Sequence, residues 1–183
     1  MDETPSHHVA DGINDPAANY SLLSTIIHWL AAIAVIALFV THEDQWVVFH
    51  VSVGLVLTIP LLMRVLYRFM TGFPRPVDQH PSLNLLSRLV MIGMLLAILV
   101  TALSGLLMPL FAGEPYPFFD IASWTAPYDG NQLVYAILEE AHDFAGHAIV
   151  PLFGLHLIGF AKHLVMNKHG NRLRMLKSLK GGK

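Results

Sequence analysis

All 11 Lys and Arg residues of this chain fall in two places. Arg64, Arg68, Arg75 and Arg88 surround the link between the second and third of four apolar runs. Lys162, Lys168, Arg172, Arg174, Lys177, Lys180 and Lys183 close the fourth run and fill the tail. The links after the first and third runs carry neither residue type. Basic residues accumulate on the cytoplasmic side of membrane spans, so this distribution predicts four transmembrane helices with both termini in the cytoplasm.

Composition agrees. The chain has 183 residues, of which 54% are hydrophobic and 13% charged, with mean hydropathy +0.54. That is too apolar for an ordinary soluble domain. The formal charge of −2 conceals an asymmetry. Glu43, Asp44, Glu114, Asp120, Asp129, Glu139, Glu140 and Asp143 all lie on the side opposite the basic links. The absence of cysteine excludes disulfides, iron–sulfur clusters, thiolate haem ligands and haem attached through C-x-x-C-H. Residues 1–20 have no basic stretch followed by an apolar one and are not expected to be a cleaved signal.

The runs are Leu22–Val40, Val47–Tyr67, Leu89–Phe111 and a long one from Leu133 to about Val165. A helix needs roughly 20 residues to cross a hydrocarbon core of about 30 Å, so each can span, the last with tilt or projection. Thr71–Pro81, with Gly72, Pro74, Pro76 and Pro81, reads as an irregular cytoplasmic loop, and Gly113–Asn131 as a long aromatic-rich outer loop. Pro60, Pro109 and Pro151 mark bends inside helices. The expected organisation is a polar tail (1–19), one transmembrane domain (20–167) and a basic tail (168–183). The fold class is all-α, an integral membrane four-helix bundle.

Ionisable residues inside a span are costly and mark function. Four histidines qualify: His28, His50, His142 and His156. The topology places His28 and His156 in the inner half, and His50 and His142 near the outer face. His142 and His156 are 14 residues apart, hence about 40° apart around the helix and about 21 Å apart along it. Both therefore lie on one face, at a separation suited to two stacked porphyrins. Facing imidazoles on a bundle suit the axial positions of a low-spin haem iron. Ala32, Gly54, Gly146 and Gly159 lie one turn from these histidines and leave room for a flat macrocycle. A single intramembrane His is as often a packing residue; four at matched depths are not readily explained that way. The two pairs lie too far apart for one tetrahedral zinc. His147 lies about 140° around the helix from His142 and reads as a packing or supporting residue, while His163 shares the face of His156 and is a candidate for a quinone or haem-propionate contact. His7, His8, His42, His80 and His169 are expected to be solvated.

The segments S-T-I-I-H-W-L around His28, F-H-V-S-V-G around His50, E-E-A-H ending at His142, G-L-H ending at His156 and the closing N-R-L-R-M-L resemble the bacterial cytochrome b561 family over residues 19–177. The resemblance implies two haem b groups, ligated by His28 with His156 and by His50 with His142. It implies a bacterial inner-membrane oxidoreductase that passes electrons from a periplasmic donor to ubiquinone. One branch is similar to a superoxide oxidase, a superoxide:ubiquinone oxidoreductase. The alternative is a cytochrome b electron-carrier subunit of a larger dehydrogenase or hydrogenase-type complex, fed by a periplasmic protein. Arg64, Arg68, Arg88, Lys162 and His163 become candidates for haem propionates and the quinone; no nucleic acid partner is implied. Ser87-Arg88 stands where many relatives carry a histidine on the third helix, so a role carried by that residue is not expected here. The acidic outer face would repel an anion such as superoxide and suits a basic electron-donor protein better.

Overall fold

The computed structural model describes residues 22–42, 44–72 and 81–166. The two tails, Arg75, His7, His8, His80 and His169 lie outside them. Four helices dominate: α1 (Leu22–Val40), α2 (Val47–Thr71), α3 (Pro81–Ala112) and α4 (Gln132–Met166). A 3-10 turn, Asp44–Trp46, leads into α2. Of the four, α2, α3 and α4 are long and apolar enough to cross a membrane. The apolar stretch of α1 described there, Thr25–Val40, is shorter.

The apolar residues sort themselves by size. Few large side chains are buried; the core is Ala34, Leu61, Val65, Val90, Leu95, Ala97, Ala145 and Ile149. Val40 and Ile59 are each 67% exposed, and Leu30, Ile33, Met63 and Ile158 also point outward. Such faces would be untenable in water and suit hydrocarbon. Four hydroxyls within the helices bond to the preceding turn: Ser52 donates to Val48 O, Thr58 to Gly54 O, Thr101 to Ala97 O and Ser104 to Val100 O. This satisfies them without water. The helices continue through Pro60, Pro109 and Pro151.

The most extensive interface joins α3 to α4, and α2 packs on both α1 and α3. Among the described residues, neither α1 nor α2 has an extended backbone contact with α4. The turn between α3 and α4 is closed tightly. Asn131 caps α4, its side-chain oxygen accepting from the Leu133 and Val134 amides, while its own amide donates to Phe111 O. Gly130 has φ +82°, and a Cβ there would lie 2.7 Å from Phe111 O, so only glycine fits.

Two features differ from the sequence expectation. Helix α3 begins at Pro81 rather than near Leu89, because Pro81 occupies the first turn, where its missing N–H costs nothing. The outer loop is not irregular throughout. It contains an antiparallel hairpin, β1 (Tyr116–Phe118) with β2 (Ala122–Trp124), in the register Tyr116–Trp124, Pro117–Ser123 and Phe118–Ala122. Its turn places Phe119 and Asp120 at φ +48° and +56°. The hairpin is held at two points. The Phe119 amide donates to the Ser52 hydroxyl at 2.7 Å, and the Tyr116 hydroxyl donates to Leu106 O at 2.8 Å. It is thus stapled to α2 and to α3.

Candidate functional site

Two pairs of imidazoles face each other from different helices. His50, at the start of α2, meets His142 of α4, with ring centroids 6.1 Å apart and planes crossed at 77°. His28 of α1 meets His156 of α4, at 6.3 Å and 65°. All four are half-buried. The first pair lies at the hairpin end of the bundle, the second toward the end where α2 carries Arg64 and Arg68.

These spacings can be compared with what a metal requires. A first-row metal–imidazole bond is about 2.0–2.1 Å, and a ring centroid lies about 1.2 Å behind its nitrogen, so trans ligands on one ion put centroids about 6.5 Å apart. Both pairs match to within a few tenths of an ångström. Crossed planes are no obstacle, since each ring can turn about its metal–nitrogen bond. No three His, Asp or Glu side chains converge among the described residues, so a tetrahedral site is not formed there. The ligand sets are pairs, which suits a planar macrocycle that supplies its own four nitrogens. Space beside the ligands is also present. A Cβ on Gly146, one turn from His142, or on Gly159, three residues from His156, would meet nothing within 4 Å. The residues present therefore fit haem.

The hairpin-end pair is oriented through the second ring nitrogens. His50 Nδ1 lies 2.8 Å from Leu38 O, and His142 Nδ1 lies 3.0 Å from Thr101 O. A carbonyl only accepts, so each Nδ1 carries the hydrogen and each Nε2 keeps its lone pair for a metal. Ser104 Oγ lies 3.2 Å from the same His142 nitrogen. Gly105 permits this approach, for a Cβ there would lie 2.8 Å from His142 Cε1 and 3.1 Å from Nδ1. Thr101, Ser104 and Gly105 were not singled out from the sequence. The adjacent small residues Ser104-Gly105 in an otherwise Leu-rich run were the available signal.

The other pair is arranged differently. Arg64 Nη2 lies 3.3 Å from His28 Nδ1. A guanidinium only donates, so here Nδ1 accepts and the hydrogen sits on Nε2. A metal on His28 Nε2 requires that bond to be given up. Arg68 and Lys162 are half-buried and Arg88 is exposed. The His163 backbone lies in α4, but its side chain is outside the described residues. His147 is exposed, with Nδ1 2.7 Å from Asp143 O, and meets neither pair. His42 is exposed and stacks on Phe39. An open apolar recess of 460 Å³ lies under the hairpin, lined by Leu55, Leu106, Tyr116, Phe118 and Trp124 among others. None of the four histidines lines it, so it is separate from both pairs.

The chain is 27% identical to cytochrome b561 homolog 2 of Escherichia coli strain K12 over 173 residues, covering 86% of this chain and 90% of that protein. Residues 19–178, nearly the whole sequence, match the family described as prokaryotic cytochrome b561. Apolar helices, paired histidines and this match converge: the chain is a membrane protein and belongs to the prokaryotic cytochrome b561 family.

Proposed function

We propose that the protein moves electrons across the bacterial inner membrane through two haem b groups, from a periplasmic donor at the hairpin end to ubiquinone at the basic end. The observation that carries this reading is the spacing of the two imidazole pairs, 6.1 and 6.3 Å. His50 with His142 and His28 with His156 would hold the two groups. When bound, haem supplies a one-electron carrier at each site. The protein's residues do the rest. The helices hold the ligand pairs about 21 Å apart along α4, by the rise per residue. Leu38 and Thr101 fix the hairpin-end tautomers. The apolar bundle keeps water away. Arg64, Arg68, Arg88, Lys162 and His163 supply positive charge for propionates and the quinone, and both termini lie in the cytoplasm.

Two donors fit the family. Superoxide would make the protein a superoxide:ubiquinone oxidoreductase. A second reading is favoured by the surface: Glu114, Asp120, Asp129, Glu139, Glu140 and Asp143 are all exposed at the hairpin end. That field repels an anion and attracts a basic electron-donor protein, which would make the chain the cytochrome b subunit of a larger complex. Stopped-flow absorbance separates the two. Oxidised protein is mixed with superoxide, with and without a soluble ubiquinone. Rapid haem reduction followed by quinone-dependent reoxidation establishes the oxidase. No reduction, in protein that dithionite still reduces, establishes the partner-fed carrier. A colourless preparation defeats both.

A further inference from the structure

We propose that Arg64 sets the direction of electron flow, by making the basic-end site the more oxidising of the two. This rests on the two-haem reading above. The surroundings of the two ligand pairs differ in sign.

At the hairpin end both ligands donate Nδ1–H to main-chain carbonyls, Leu38 at 2.8 Å and Thr101 at 3.0 Å. Such a bond makes the imidazole a stronger electron donor and favours the oxidised metal. Asp143, next in sequence to His142 and exposed, adds negative charge at this end. At the basic end the sign reverses. Arg64 reaches His28 Nδ1 at 3.3 Å, and Arg68 follows one turn later on the same helix. A guanidinium keeps its charge at any physiological pH. In a low-dielectric bundle a nearby positive charge favours the reduced, less positive metal. Haem on His28 Nε2 would need the hydrogen on Nδ1, so Arg64 would then act through its charge, from its place on α2, rather than through this hydrogen bond. With haem held at both sites, one electron would leave the hairpin-end group, oxidising it, and reduce the basic-end group beside Arg64. No bond forms or breaks.

The test is a redox titration of the purified dihaem protein followed by absorbance. Two one-electron waves are expected, and His28→Ala should delete the higher. Arg64→Gln should lower the higher wave while leaving the other in place, changing the partition of an electron between the sites at least tenfold, about 59 mV. Arg64→Lys, which keeps the charge, should restore most of the split. Asp143→Asn, at an exposed position, provides an independent arm and should raise the lower wave. Loss of the lower wave in His28→Ala overturns the inference. So does a higher wave unmoved by Arg64→Gln, or, where Arg64→Gln releases haem, a lower wave unmoved by Asp143→Asn. A wild-type protein holding a single haem overturns the two-haem reading and this inference with it.

Discussion

At the hairpin end the histidines are fixed by the fold's own main chain: Leu38 O holds His50, Thr101 O holds His142, and Gly105 makes room for the second ring. At the basic end His28 sits on α1, which packs on α2, and its ring nitrogen meets a long, rotatable arginine. In the first site His142 lies against α3, in the most extensive interface among the described residues, while His50 comes from α2 and is held by α1. Its geometry cannot change without disturbing the core. The second joins α1 to α4, and the partner of its His28 ring nitrogen is a side chain that can turn. A protein with two similar ligand pairs can thus make one rigid and the other responsive.

The strongest way to break this contrast is to remove a ligand from each end. His142→Ala and His28→Ala should each lower the haem content from two per protein to one, measured by pyridine haemochrome against protein mass. Loss of neither would refute the pairing. A finer cut is Gly105→Ala. Its methyl must displace the His142 ring, an overpacking cost of about 1–3 kcal/mol. Haem at the hairpin end should be depleted while the basic-end haem stays, visible as loss of one redox wave. Ser52→Ala tests the hairpin itself. It leaves the Phe119 amide without its acceptor, a cost of about 1–3 kcal/mol. Faster proteolysis within Tyr116–Trp124 is expected, with haem content kept.

The smallest effect belongs to Tyr116→Phe, which removes the bond to Leu106 O and should cost about 0.5–1.5 kcal/mol in thermal unfolding. Burial holds the Tyr116 phenol above the usual tyrosine value of about 10. A raised folded value means the neutral form is favoured by folding. Its contribution is full below pH about 10 and disappears as pH climbs through the raised value. The wild type and Tyr116→Phe should therefore converge in stability only in strong alkali. A difference that vanishes at neutral pH would show that the latch is not this hydroxyl.

The helices were legible because apolar length and basic flanks obey the bilayer, which acts on each segment separately. The ends of α2 and α4 fall within a few residues of expectation. The start of α3 did not, since Pro81 looks like loop punctuation beside Pro74 and Pro76, while its position in the first helical turn depends on the helix-forming residues C-terminal to it. The hairpin was hidden for another reason. Its strands are three residues long, one contains Pro117, and the turn places Phe and Asp at positive φ without the Asn-Gly marker that usually announces such a turn. The four histidines stood out because charge and polarity are rare at depth, and the fold brings them into the two expected pairs. Their neighbours did not stand out. Leu38 and Thr101 act through main-chain atoms that every residue possesses, and Gly105 acts across a helix interface rather than along its own helix.

The carbonyl bonds to His50 and His142 have a consequence for rate as well as for orientation. An electron jumps quickly when the atoms around it need not move to receive it. Rings clamped from behind by main-chain oxygens have little freedom to tilt or retreat as the charge in front of them changes, and the clamps were set when the chain folded. The hairpin end, on the proposed assignment, is therefore a place of low reorganisation energy, suited to accepting an electron from a donor that visits only briefly.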